Sequence, residues 1–111
     1  MSDKIYTLDE IKSIAAPIAR QYGVAAMYLF GSYARGEQNA ESDIDILLTA
    51  DLTQEQIAET RRAVAALSSD LSLDHEVTVS IQIVPLTQFR RYADFLPFYQ
   101  NILKEGIRYA S

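Results

Sequence analysis

Asp43 and Asp45 flank a single isoleucine at the mouth of an apolar stretch, and Gly31-Ser32 stands ten residues upstream of them, within FGSYARGEQNAESDIDILL (30–48). Carboxylates two apart on an extended chain project to the same side, about 6.5–7 Å apart along it. That spacing lets both converge on one divalent cation or on two. Oxygen donors without neighbouring His or Cys favour Mg2+ or Mn2+ over zinc. Mg2+ is typically held by one or two carboxylates together with substrate phosphates. Gly31 and Ser32 supply the complementary half. Glycine lets the backbone approach a phosphate closely, the first turn after it offers unpaired N–H groups, and Ser32 adds a hydroxyl. In such an arrangement the turn at 31–32 would hold a triphosphate while the carboxylate pair would hold the metal that bridges it.

Positioning such a pair requires a strand on each side of the turn. Residues 24–30, VAAMYLF, form a short apolar run ending in glycine, and the pattern predicts a strand. Ser32 then caps a helical turn over 33–35, and the polar stretch 36–42 reads as a loop. The second predicted strand, 43–49, places Asp43, Asp45 and Leu47 on one face and Ile44, Ile46 and Leu48 on the other. Upstream, apolar Leu8, Ile11, Ile14, Ala15 and Ile18 predict a helix over 8–22, opened by a capping box of Thr7 and Glu10. Pro17 falls inside it and predicts a kink or a break; Gly23 suits its end.

Downstream, an amphipathic helix is predicted over about 53–72. The stretch EVTVSIQIV, 76–84, alternates without interruption and predicts a strand that buries Val77, Val79, Ile81 and Ile83. Its other face carries Glu76, Thr78, Ser80 and Gln82, and Pro85 ends it. One or two short helices around Pro97 and a final strand at 107–110 complete the chain. The expected fold is α+β: a small mixed sheet backed by helices on one face, with the other face partly open.

Composition bounds the function. At 111 residues the chain is expected to form a single domain, 1–111. With 49% hydrophobic and 23% charged residues it is ordinary for a globular protein rather than a disordered one. The absence of cysteine removes disulfides and thiolate metal sites. No signal peptide and no apolar run of the ~20 residues a membrane span needs are visible, so the expected location is cytoplasmic. A net charge of −5 disfavours bare nucleic acid as a partner.

Gly31-Ser32, ten residues, then Asp43-Ile44-Asp45 resembles the G-S-x10-D-x-D pattern of the DNA polymerase beta-like nucleotidyltransferase superfamily, and the short chain resembles its minimal nucleotidyltransferase (MNT) type. PFYQNILKEGIRYA near the end is similar to the closing helix of such proteins. The resemblance implies transfer of a nucleoside monophosphate from a nucleoside triphosphate with loss of pyrophosphate. It implies Asp43 and Asp45 as catalytic metal ligands and Gly31 and Ser32 as phosphate-binding residues. Arg35 lies within reach of the same pocket, where its guanidinium would suit a bidentate phosphate contact. Minimal members often pair with a HEPN-domain toxin. The MNT chain is then the antitoxin and adenylylates a toxin tyrosine from ATP, so the resemblance also implies an ATP donor and a HEPN partner.

One departure stands out. Catalytically competent members of the family that this sequence resembles usually carry a third carboxylate on a later strand, facing the first two. Here the middle of the matching strand holds Ser80 and Gln82, and Glu76, of the correct parity, precedes Ser80 by about 13 Å of extended chain. Either Glu76 serves as the third acid in a shifted register, or that acid is missing; the alternative to catalysis is then a degenerate nucleotidyltransferase-fold module that neutralises its partner by binding. The only histidine, His75, reads as a residue of the helix-to-strand connection. Tyr28, Tyr92, Tyr99 and Tyr109 read as packing residues, and Arg61-Arg62 and Arg90-Arg91 as solvated helix charges.

Overall fold

A computed structural model describes residues 6–21, 23–39, 42–75 and 77–109. Glu76 and the end of the expected last strand lie outside the described residues, as does Tyr22. The elements in chain order are α1 (Leu8–Gln21), β1 (Val24–Phe30), α2 (Ser32–Arg35), β2 (Ile44–Ala50), α3 (Gln54–His75), β3 (Val79–Pro85), α4 (Leu86–Tyr92), α5 (Pro97–Glu105) and β4 (Ile107–Tyr109).

The four strands form one sheet in the order β3-β2-β1-β4. β1 is antiparallel to β2 and to β4, whereas β2 and β3 run parallel, so the sheet is mixed as expected. α3 is the crossover between the two parallel strands, a connection that a tight turn cannot make. β2 begins at Ile44, one residue later than expected, which leaves Asp43 just ahead of the strand. The pairing nonetheless starts at once: the Ile44 amide donates to the Thr78 carbonyl at 2.9 Å.

One sheet face carries Ile44, Ile46 and Leu48 beside Val79, Ile81 and Ile83, packed against Ile11, Ala15 and Ile18 of α1 and Val64 of α3. Helices were expected on this face alone; the structure has them on both. Phe89 of α4 and Ile102 of α5 cover Ala26, Tyr28, Leu47 and Val84 on the second face. The reason is that Tyr28 and Leu47 share the face of Asp45 and would otherwise leave apolar area in water. Towards its Asp45 end that face stays accessible: Asp43 and Gln82 are exposed, and Asp45 and Ser80 are partly so.

The capping box on α1 forms in both directions. The Thr7 amide donates to Glu10 Oε1 at 3.2 Å and the Glu10 amide to Thr7 Oγ1 at 3.1 Å. Pro17 does not break the helix, which runs through it as one element. Both Pro17 and Ser13, whose carbonyl loses its partner to the proline, are exposed, so water can satisfy that group. α3 continues three residues beyond its expected end, so the His75 backbone belongs to the helix rather than to a connection.

The outer edge of β3 is closed by serines. Ser68 and Ser72, one turn apart on α3, accept hydrogen bonds from the Ile81 amide at 3.1 Å and the Val79 amide at 2.8 Å. Ser72 also donates to the Ser68 carbonyl at 2.8 Å. Unpaired edge amides are thus satisfied by side chains, and the start of β3 is fixed to the helix that precedes it.

Candidate functional site

β1 delivers the chain to Gly31, whose backbone has φ 77° and ψ −154°. This region of conformational space is essentially restricted to glycine. A Cβ on Gly31 would lie 2.5 Å from Asp45 Oδ2. The turn and the carboxylate are therefore in direct apposition, because Phe30 pairs with Asp45 across the β1–β2 ladder. The spacing of ten residues is the length of chain needed to leave β1, make one helical turn and return on β2.

The turn is anchored from behind. Tyr33, the second residue of α2, is buried in the core of the first face, and its hydroxyl accepts a hydrogen bond from the Tyr6 amide at 3.2 Å. Gly31 itself is the N-cap of α2 and Ser32 its first helical residue, so Ser32 does not cap the turn as expected. The Gly31 carbonyl accepts from Ala34 and Arg35 at 3.1 and 3.2 Å. The amides of Ser32 and Tyr33 head the turn, where no intrahelical acceptor exists. The Ser32 hydroxyl makes no hydrogen bond among the described residues.

Burial and the charge of Asp43 hold the Asp45 carboxyl above its ordinary range, with Arg35 partly opposing them. Three of the expected site residues therefore sense one another electrostatically. Arg35 is exposed, and its Nε lies 3.3 Å from Glu37 Oε2, which leaves its two terminal nitrogens for another anion. Gly36, in the left-handed conformation with φ 72°, turns the chain so that Glu37 falls beside Arg35.

Two crowded carboxylates with no nitrogen or sulfur donor beside them match the needs of a hard divalent cation. Among the described residues no group of three His, Cys, Asp or Glu gathers at one point. The parallel register puts Ser80 directly beside Asp45 and Gln82 beside Leu47. A hydroxyl thus occupies the strand position facing the carboxylate pair, and Glu76 lies outside the described residues.

Sequence reading missed a second wall to this site. A cavity of about 180 Å3 opens between α2 and α5, lined by Phe30, Gly31 and Arg35 on one side and Phe98, Asn101 and Glu105 on the other, among others. The only signal for it in the sequence is the spacing of residues 98, 101 and 105, which places them on one side of a helix.

Comparison with known proteins agrees with this geometry. Residues 11–109 match the nucleotidyltransferase domain family. The chain belongs to that family. It is 31% identical over 83 residues to the protein named "Putative protein adenylyltransferase MJ0604" of Methanocaldococcus jannaschii, across 75% of each chain. It is also 44% identical over 46 residues to the protein adenylyltransferase MntA of Thermococcus cleftensis, across 38% of this chain and 46% of that one. The chain thus spans about half the length of some relatives. In fold it matches a crystal structure of a toxin–antitoxin with AMP-PNP, with a TM-score of 0.58 and 23% identity over 90% of this chain and 73% of that one. No described helix is long and apolar enough to cross a membrane.

Proposed function

We propose that this nucleotidyltransferase transfers AMP from ATP to a tyrosine hydroxyl of a HEPN-type toxin and so acts, in the cytoplasm, as its antitoxin. The observation that carries the reading is the apposition of Gly31 with the Asp45 carboxylate. It supports a reading in which a turn at 31–32 that binds phosphate and a carboxylate pair that binds metal serve one polyphosphate. Asp43 and Asp45 would hold Mg2+ or Mn2+, which when bound neutralises charge on the phosphates and leaving group. The Ser32 and Tyr33 amides, the Ser32 hydroxyl and Arg35 would hold the departing pyrophosphate, Arg35 through the terminal nitrogens that Glu37 does not use.

In the transfer the tyrosine oxygen bonds to the α-phosphorus. The bond from that phosphorus to the bridging oxygen breaks, pyrophosphate leaves with the electron pair, and the phenolic proton passes to water. Ser80 at the position beside Asp45 supports a phenol as acceptor. A phenol, with a pKa of about 10, ionises far more readily than an aliphatic alcohol and depends less on a carboxylate base.

The test is to incubate the chain with Mg2+, ATP and the product of the neighbouring open reading frame. Wild type should add adenylyl groups to a partner tyrosine, read by mass spectrometry, and the double variant Asp43→Ala, Asp45→Ala should add none. An unchanged partner mass with wild type overturns the reading. Ser80 also favours a second reading, in which the site is degenerate and the chain masks the toxin by binding. Full neutralisation by the double variant would select it.

A further inference from the structure

We propose that the cavity between α2 and α5 is the subsite for the nucleobase of the donor, with Phe98 as its stacking platform and Asn101 and Glu105 as readers of an amino-bearing base edge. The proposal rests on the reading above that the donor is a nucleoside triphosphate. Gly31 lines the cavity and also touches Asp45, so phosphates on the 31–32 turn leave the rest of the nucleotide at the cavity mouth.

The cavity is lined by two chemically different sets of groups. Arg35 and the Gly31 turn bring positive charge and N–H groups; Glu105, in the last turn of α5, brings a carboxylate. A phosphate is favoured beside the first set and repelled by the second. The carboxylate suits a group that donates hydrogen bonds.

The aromatic wall is held in place yet open. Phe98 meets Phe30 edge-on at a centroid distance of 5.6 Å and Tyr99 at 5.4 Å, and it remains 44% exposed. Asn101 and Glu105 are one helical turn apart on the same side, and their side chains make no hydrogen bond or ion pair among the described residues. An aromatic platform, an amide and a carboxylate match a flat base with an exocyclic amine. The amide can pair with N6 and N7 of adenine, and a carboxylate accepts from an amino group. Adenine, as in ATP, fits both.

Binding of Mg·ATP and of Mg·tripolyphosphate to wild type, Phe98→Ala and Asn101→Ala tests this. Tripolyphosphate has the phosphates and no base. Phe98→Ala should weaken Mg·ATP about tenfold or more, as loss of a base-stacking aromatic does, and leave tripolyphosphate unchanged. Asn101→Ala should narrow the preference for ATP over UTP. Unchanged Mg·ATP affinity in both variants overturns the proposal, including the case where only the KM for the protein acceptor rises. Equal weakening of both ligands overturns it too, since the effect would then be structural. If wild type binds neither ligand, the nucleotidyl-transfer reading itself has failed, a separate result.

Discussion

Gly31 lies against Asp45 so closely that a methyl group on its Cα would come within 2.5 Å of the Oδ2 atom. Residues fourteen apart in sequence are thereby locked into one feature, and each constrains the other. Two independent requirements fall on position 31: a backbone with φ 77° and no side chain.

Gly31→Ala therefore has a predictable double effect. The strained backbone costs about 1–3 kcal/mol, and the new methyl displaces the Asp45 carboxylate. Urea unfolding should show a loss of that order, and AMP transfer should fall more than the unfolded fraction accounts for. Normal transfer by a folded Gly31→Ala protein would show that the contact has no part in the chemistry.

Asp45 is predicted to destabilise the metal-free fold. Burial and Asp43 raise its carboxyl above the ordinary range, against the partial opposition of Arg35. The folded chain then binds that proton more tightly than the unfolded chain. Stability from this group is complete below the unfolded carboxylate range and declines as pH rises through the raised value. Asp45→Asn should thus raise the Tm at pH 7 by a few degrees, because it removes a partly desolvated charge and its repulsion by Asp43. The difference should vanish near pH ~3, where the carboxylate is protonated in both states. Transfer activity should be lost at the same time. A lower Tm for the variant at pH 7 would contradict the assigned strain.

Much of this arrangement is legible in the sequence, for physical reasons that can be named. Thr7 and Glu10 announce the start of α1 because a reciprocal cap needs those types three apart. The alternation through Val79, Ile81 and Ile83 announces β3 because its two faces differ in burial. Motif spacing ties Asp43 and Asp45 to Gly31, because it encodes the return of β2 to the end of β1. The placement of α4 and α5 was not legible. Phe89 and Ile102 are short-helix residues whose partners, Tyr28 and Leu47, are distant in sequence. Ser68 and Ser72 gave no signal either, since serines on an amphipathic helix read as solvent-facing, while here they seal a strand edge.

That seal makes Ser72 a structural residue. Ser72→Ala leaves the amide of buried Val79 without its acceptor. The expected cost is about 1–3 kcal/mol, with faster hydrogen exchange at Val79 and Ile81 than at Leu47, which lies in the central strand. Unchanged exchange at Val79 would mean that water replaces the hydroxyl without penalty.

Ser80 offers the sharpest test of the chemistry. It sits beside Asp45 in the parallel register, with strands about 4.8 Å apart, and it faces the same accessible side. A carboxylate there would be placed to accept a proton from an incoming hydroxyl. General-base assistance contributes about 10²–10⁴-fold, and it matters most where the acceptor ionises poorly. Ser80→Asp should therefore raise kcat for a serine-bearing peptide by about 10²-fold. It should raise kcat for the matched tyrosine peptide by much less, because the phenol, with a pKa of about 10, needs less help. Mg·ATP affinity, measured alongside, separates this from a change in metal binding. If both peptides gain equally, Ser80→Asp acts through the metal site and not as a base. If neither gains while Mg·ATP still binds, the hydroxyl at position 80 is not what limits transfer, and the preference for a phenolic acceptor must lie elsewhere.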